Sequence, residues 1–596
     1  MKTKIFFSLA LLGAWTSGFA DPQITSWFTT DSGRYARIYT NTALEDSGSY
    51  AYTWSNSSFT QSLPAYSGVQ EIDSSTDWIY IRSTGLGFHI MGPWYLNSGK
   101  TTIFPNLPVN TKTFTRIPRT STLTNALSET NATGLGAIGC FVDGVAMYNS
   151  WDAYYWNGTT NVSGGSSTGY YWRRDAYVNE GLSFDPSNAH QDQSGTYHYH
   201  ANPPGVRYLL GDEVSYNSTT DTYTETPTNL HHSPILAWVN DGYPLYGPYG
   251  YSNPTNANSG IRRMVSGYVI RNGENGTDNL TSTGRNTIPA WATRLFNVSS
   301  SQSGPAVSTA QPLGTYMEDN DYLGDLGETQ GVNFDLDEHN GRYCVTPDFP
   351  NGTYAYFVSI SSNGTPVYPY NIGGGYYGDP TGGVVSNLTE TVVTNYLGGP
   401  NAALALSAPA VTNNTVTLVW SAVQGGTYEI LASTNITTSL TSWSNKTSNL
   451  TAQSNTAQTS FSGNGTHEFY VAVMTNLASY DPVTNSSSSS GGGSGGITSV
   501  SPTSHARGSS FTLTIYLNSN ANPAPPPANA PINSVTIGSS SCTSSTHISQ
   551  TEVQATFDLS NSSATGAQTV SVTFPGPPND PSDTVTYTLT NGFTVQ

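Results

Sequence analysis

Residues 195–204 read Gly195-Thr196-Tyr197-His198-Tyr199-His200-Ala201-Asn202-Pro203-Pro204. Phenol and imidazole side chains alternate there until a proline pair ends the run. In a strand, residues i and i+2 share a face. The alternation therefore predicts a strand with His198 and His200 projecting together and Tyr197 and Tyr199 on the opposite face. Two imidazoles roughly 6–7 Å apart along a strand suit a single metal ion. The competing reading is a polar core in which both rings are satisfied by hydrogen bonds.

Working outward, His190-Gln191-Asp192 lies one short turn upstream and is placed to fold back on the pair. Downstream, His231-His232-Ser233-Pro234 enters the apolar run Ile235-Leu236-Ala237-Trp238, which reaches Asp241-Gly242, a hairpin signal. Further on, Asp335-Leu336-Asp337-Glu338-His339-Asn340-Gly341 is dense in carboxylate and imidazole. The candidate metal ligands are thus His198 and His200, with His190, His231, His232, His339 and Asp337 available to complete a set. Neutral imidazoles with carboxylates favour Zn²⁺ or Cu²⁺ over Mg²⁺. An imidazole of ordinary pKa predicts that binding weakens below about pH 6.5. Asp319-Asn320-Asp321 with Asp325 and Glu328 has oxygen-rich Ca²⁺-like spacing without the full EF-hand pattern.

Composition sets the frame. The chain has 596 residues, 20 Lys+Arg and 39 Asp+Glu, a formal charge of −19. An acidic, Lys-poor surface argues against nucleic acid and anionic membranes as partners. Only 10% of residues are charged and 38 are Tyr, a bias toward strands and turns over helices. The fold class expected is mostly β and multidomain. Three cysteines cannot make a disulfide framework, though Cys140 and Cys344 are close enough in kind and region to form one bridge. No His-Glu-x-x-His, P-loop or paired Cys-x-x-Cys occurs.

Met1-Lys2-Thr3-Lys4, the apolar run Ile5 to Trp15 and Gly18-Phe19-Ala20 read in order as a cleaved secretory signal, residues 1–20. The mature chain then starts near Asp21 and is secreted or held at the cell surface. No later segment is long and apolar enough to span a bilayer as a helix. The partner expected is an unidentified small molecule or surface ligand.

Three ordered signatures carry a family resemblance. Tyr197 to His200 is one, with Gly144-Val145-Ala146-Met147-Tyr148-Asn149 before it. His232-Ser233-Pro234 through Asp241-Gly242-Tyr243-Pro244-Leu245-Tyr246-Gly247-Pro248 is the second. Leu336-Asp337-Glu338-His339-Asn340-Gly341-Arg342 with Pro350-Asn351-Gly352-Thr353-Tyr354 is the third. The chain resembles the YHYH-domain proteins from about Gly68 to Tyr377, within a region spanning 21–398. The resemblance implies a domain and no particular activity. Members often carry Cys where His339 stands and a second His where Ala355 stands. His339 keeps a coordinating atom, whereas Ala355 does not.

After residue 398 the sequence changes to Thr/Ser/Val alternation. Residues 401–482 resemble a fibronectin type III-like β-sandwich, and 497–596 resemble an IPT/TIG immunoglobulin-like module. A Ser/Gly linker, 483–496, separates them. Three functions follow: a secreted metal-binding protein, a metal-dependent hydrolase or oxidase with Asp337 or Glu338 as general base, or a metal-free adhesive scaffold.

Overall fold

Two Asp-Gly turns organise the centre of the molecule. In the computed structural model, strands β1 (Gly139–Phe141) and β2 (Ala146–Met147) flank Asp143-Gly144 and pair antiparallel. Gly144 takes φ 84°, which a side chain would resist, and Val145 N donates to Asp143 Oδ1 at 3.2 Å. The structure describes residues 21–595 except 57, 124–126, 165–170, 464–467, 484–496, 503, 518–525, 527–528, 560–564 and 576–584. The expected signal, 1–20, and nearly all of the Ser/Gly linker lie outside the described residues.

Strands β3 (Ala189–Gln191) and β4 (Tyr197–Tyr199) form a hairpin. It joins the sheet where β4 runs parallel to β2, with Tyr199 opposite Met147. The same pattern then recurs. Strands β5 (Ile235–Val239) and β6 (Pro244–Tyr246) flank Asp241-Gly242. Gly242 has φ 86° and Tyr243 N donates to Asp241 Oδ1 at 3.2 Å. Strands β7 (Gly341–Cys344) and β8 (Thr353–Phe357) form the second hairpin, and β8 runs parallel to β6 with Tyr356 opposite Leu245. The resulting eight-stranded order is β3-β4-β2-β1-β5-β6-β8-β7.

That order is its own mirror about the β1–β5 pair. The central register matches Phe141 with Ala237, Cys140 with Trp238 and Gly139 with Val239. The internal hydrogen bonds repeat as well. Tyr199 OH donates to Asp143 at 2.9 Å, and Tyr356 OH donates to Asp241 at 2.5 Å. Tyr197 OH donates to Asp185 at 2.5 Å, and Tyr354 OH donates to Asp337 at 2.8 Å. Asn188 and Asn340, at φ 60° and 64°, each shape the loop entering the outer hairpin. The sheet is thus two copies of one unit related by a pseudo-twofold axis through Cys140 and Trp238. In this alignment Thr196-Tyr197-His198-Tyr199-His200 superposes on Thr353-Tyr354-Ala355-Tyr356-Phe357.

A five-stranded sheet of residues 69–74, 78–83, 113–118, 383–384 and 393–397 shares its apolar core with this sheet. Cys140 and Cys344 are buried free thiols, so the expected bridge is corrected. They stand on β1 and β7, four strand positions apart, or roughly 19 Å at the usual spacing. A disulfide spans less than 7 Å between Cα atoms.

Contacts divide the chain into units 1–483 and 484–596. The first includes two three-stranded sheets within 410–477, which enclose Val416, Leu418, Trp420, Tyr428 and Ile430. In the second, a four-stranded and a five-stranded sheet bury Leu513, Ile515, Val535, Phe557 and Val572 between them. The fold is mostly β and built of many separate sheets, as its composition implies.

Candidate metal centre

The β3–β4 hairpin creates the site. Asp192 Oδ1 accepts from Ser194 N at 2.7 Å and Thr196 N at 3.0 Å, closing an Asx turn. Gly195, at φ 81°, completes the reversal. The register then sets His190 directly opposite His198, and two-residue periodicity returns His200 to the same face. One ring nitrogen from each of His190, His198 and His200 lies within 4.8 Å of the others. His198 Nε2 and His200 Nε2 are 3.0 Å apart.

Hydrogen bonds on the far side of each ring fix which nitrogen faces inward. His198 Nδ1 lies 2.9 Å from the Thr196 carbonyl and His200 Nδ1 2.8 Å from the Asn149 carbonyl. A carbonyl only accepts, so both Nδ1 atoms carry the proton. His190 Nδ1 meets Ser183 Oγ at 2.8 Å, and that hydroxyl spends its own hydrogen on the Glu180 carbonyl at 2.7 Å. Ser183 therefore accepts from His190. All three Nε2 atoms are left as bare lone pairs converging on one point.

Ring packing holds this arrangement. Tyr148 stacks on His198 with centroids 3.8 Å apart, and Phe184 lies parallel to His200 at 5.7 Å. Burial pushes the His198 pKa down to about 4 and that of His200 to about 3. His190 is also held well below its ordinary value by burial, and then by its two neighbours. The triad therefore stays neutral well below the pH 6.5 expected of free imidazole.

The triad opens onto a cavity of about 510 Å³. Phe104, Tyr148, Trp151 and Tyr154 supply aromatic surface there, and Asn106, Gln191 and Gln193 supply amides. Among the described residues, no Lys or Arg lines it. Its carboxylates are Asp152, Glu180 and Asp192. Glu180 ends helix α1 (Ala176–Glu180). Its Oε2 is 3.3 Å from His200 Nε2 and 3.7 Å from His190 Nε2. Burial raises the Glu180 carboxyl to about 8, with the Asp152 charge adding to the effect. Nothing in Asn179-Glu180-Gly181 distinguishes this glutamate in the sequence; only the fold brings it to the histidines.

The other sequence candidates stand elsewhere. His231 is half-exposed, 3.0 Å from Glu213. His232 is buried among Tyr246, Tyr251 and Phe357, with Nδ1 on the Ser233 carbonyl at 2.9 Å. His339 Nδ1 donates to the Gly375 carbonyl at 3.0 Å. Asp337 is the counterpart of Asp185: it accepts Tyr354 OH, His339 N and Gly341 N, and so shapes the second hairpin's entry loop. Glu338 pairs with Arg294 at 2.6 Å. In the acidic stretch, Asp319 accepts from Nε and Nη2 of Arg285 at 2.6 and 2.8 Å. Asp321 lies 3.5 Å from Arg271, and Asp325 pairs with Arg294 at 2.9 Å. Guanidinium groups thus answer Asp319, Asp321 and Asp325, three of the carboxylates that had suggested Ca²⁺.

Residues 114–368 match the family model described as YHYH protein. The matched segment contains the triad, both Asp-Gly turns and both outer hairpins. No curated protein matches the chain. Within the YHYH segment the two halves differ at the site itself. Register places Arg342 where His190 stands, Ala355 where His198 stands and Phe357 where His200 stands. The Arg342 guanidinium lies 5.3 Å over the Phe357 ring and donates to the Tyr251 carbonyl at 2.6 Å.

Proposed function

We propose that this is a secreted metal-binding protein whose YHYH segment holds one Zn²⁺ or Cu²⁺ ion through Nε2 of His190, His198 and His200. One observation carries the reading: three neutral imidazoles, each anchored through Nδ1–H, aim unprotonated Nε2 atoms at one another. Two bare lone pairs 3.0 Å apart repel unless a cation lies between them. Ligand histidines characteristically donate their other N–H to a carbonyl or an equivalent acceptor, and imidazole suits Zn²⁺ and Cu²⁺. The second half supports the reading by contrast. Where the histidines are replaced, a fixed guanidinium supplies the positive charge.

Export is supported by the ordered basic, apolar and small-residue regions of Met1 to Ala20. An intact mass beginning near Asp21 is the expected result for the exported product. The two-sheet cores within 410–477 and 497–595 support reading these segments as fibronectin type III-like and IPT/TIG-like spacers.

The metal test is elemental analysis of full-length protein after exposure to Zn²⁺ or Cu²⁺ and removal of excess ion. One equivalent is expected in the wild type, with most of it lost in His198→Ala and in His200→Ala. Wild-type protein that stays metal-free with both ions overturns the assignment.

A further inference from the structure

Three imidazoles supply one donor fewer than the four that tetrahedral zinc sites use. We infer that Glu180 is the fourth ligand, giving a three-histidine, one-carboxylate centre; this rests on the metal reading above. With bonds near 2.1 Å, the edge of a tetrahedral donor set is roughly 3.4 Å. The separations seen are 3.0 Å for His198 to His200, 3.3 Å for Glu180 to His200 and 3.7 Å for Glu180 to His190. Glu180 Oε2 thus lies near a tetrahedral edge length from two of the three imidazoles, His200 and His190.

The glutamate is also tied to the triad through its main chain. Its carbonyl accepts the Ser183 hydroxyl, which in turn accepts His190 Nδ1–H. A shift of the helix end therefore moves His190 and the carboxylate together. Helix α1 is itself anchored: Asp175 caps it by accepting Val178 N at 3.0 Å, and also accepts Tyr370 OH at 2.7 Å.

The two other carboxylates of the cavity are committed elsewhere. Asp152 pairs with Arg174 at 2.8 Å. Asp192 holds the hairpin turn and accepts Tyr148 OH at 2.8 Å. The contacts of Glu180 Oε2 are with triad nitrogens.

The test is Co²⁺ titration of the full chain followed by visible absorption, comparing wild type with Glu180→Ala, Glu180→Gln and His198→Ala. Wild type is expected to bind one Co²⁺ with the intense d–d bands of four-coordinate cobalt. Both Glu180 variants should bind at least tenfold more weakly and with altered bands, and His198→Ala should bind none tightly. Thermal melting of the metal-free proteins checks that the variants are folded; Glu180→Gln, which keeps the side chain's shape, covers the case in which Glu180→Ala is not. A folded Glu180 variant with wild-type affinity and spectrum overturns the fourth-ligand assignment and leaves the three-histidine site standing. A wild type that takes up no cobalt, zinc or copper overturns both.

Discussion

Burial of the triad makes the metal-free protein acid-sensitive in a way that one substitution isolates. An imidazole at about 6.5 in the unfolded chain and about 4 at His198 in the folded one binds fewer protons when folded. The stability this neutral ring contributes is complete above about pH 6.5. It is lost as the pH falls toward 4, because the unfolded state gains protons that the folded state refuses. Each pH unit in that window is worth up to about 1.4 kcal/mol. Integrated from pH 7 to pH 5, His198 alone removes about 2 kcal/mol of stability.

Buried acids such as Asp175 and Asp185, both raised to about 7, titrate in the same window with the opposite sign, so the absolute pH profile is mixed. The difference between wild type and His198→Asn cancels them. The removal also lifts a charge that depresses the pKa of His200, which flattens the variant's profile further. The assay is urea unfolding of chelator-treated protein at pH 7, 6 and 5, followed by tryptophan fluorescence. Wild type should lose about 2 kcal/mol more than His198→Asn over that range. Parallel profiles, or a steeper one for the variant, would refute the claim that His198 is held neutral by the fold.

Tyr199→Phe and Tyr356→Phe remove equivalent phenols on the face away from the metal centre, each deleting a bond to a buried carboxylate. Each should cost about 1.5–3 kcal/mol in chemical denaturation, while metal content by elemental analysis stays at the wild-type level. Placing imidazoles in the second half with Arg342→His, Ala355→His and Phe357→His together should add Zn²⁺ uptake beyond one equivalent, held more weakly than at the first site, where Glu180 is the inferred fourth ligand; uptake unchanged in a folded triple variant counts against the two halves being equivalent. Gly139 stands one residue from the twofold axis, where an added Cβ would lie 2.7 Å from the Trp238 carbonyl oxygen and 3.1 Å from Val239 Cα. Gly139→Ala should therefore cost about 1–3 kcal/mol by forcing β1 from β5, visible as a lower melting temperature.

The local geometry was legible in the sequence because it follows from strand period and turn chemistry. Alternation in Tyr197 to His200 put both imidazoles on one face, and the short interval after His190-Gln191-Asp192 left room for His190 to fold back on them. The repeat was also written there, in Thr196 to His200 against Thr353 to Phe357, but the replacement of both histidines and the unlike intervening loops hid it. The tertiary structure decided the rest. His231, His232, Asp337 and His339 looked like further ligands because chemistry-bearing residues were counted along the chain. Sheet order sends them to the other half, where Asp337 does for its hairpin what Asp185 does for the first. Glu180 has no local signal at all. It reaches the triad because β4 pairs with β2 while helix α1 packs at the mouth of the cavity. Likewise the acceptors that fix each imidazole, Ser183 Oγ and the carbonyls of Asn149 and Thr196, include contacts made only after strands distant in sequence have come together. Strand period is a property of neighbouring residues; which strands meet is settled by burying the apolar faces of the whole sheet, and no short stretch of sequence encodes that choice.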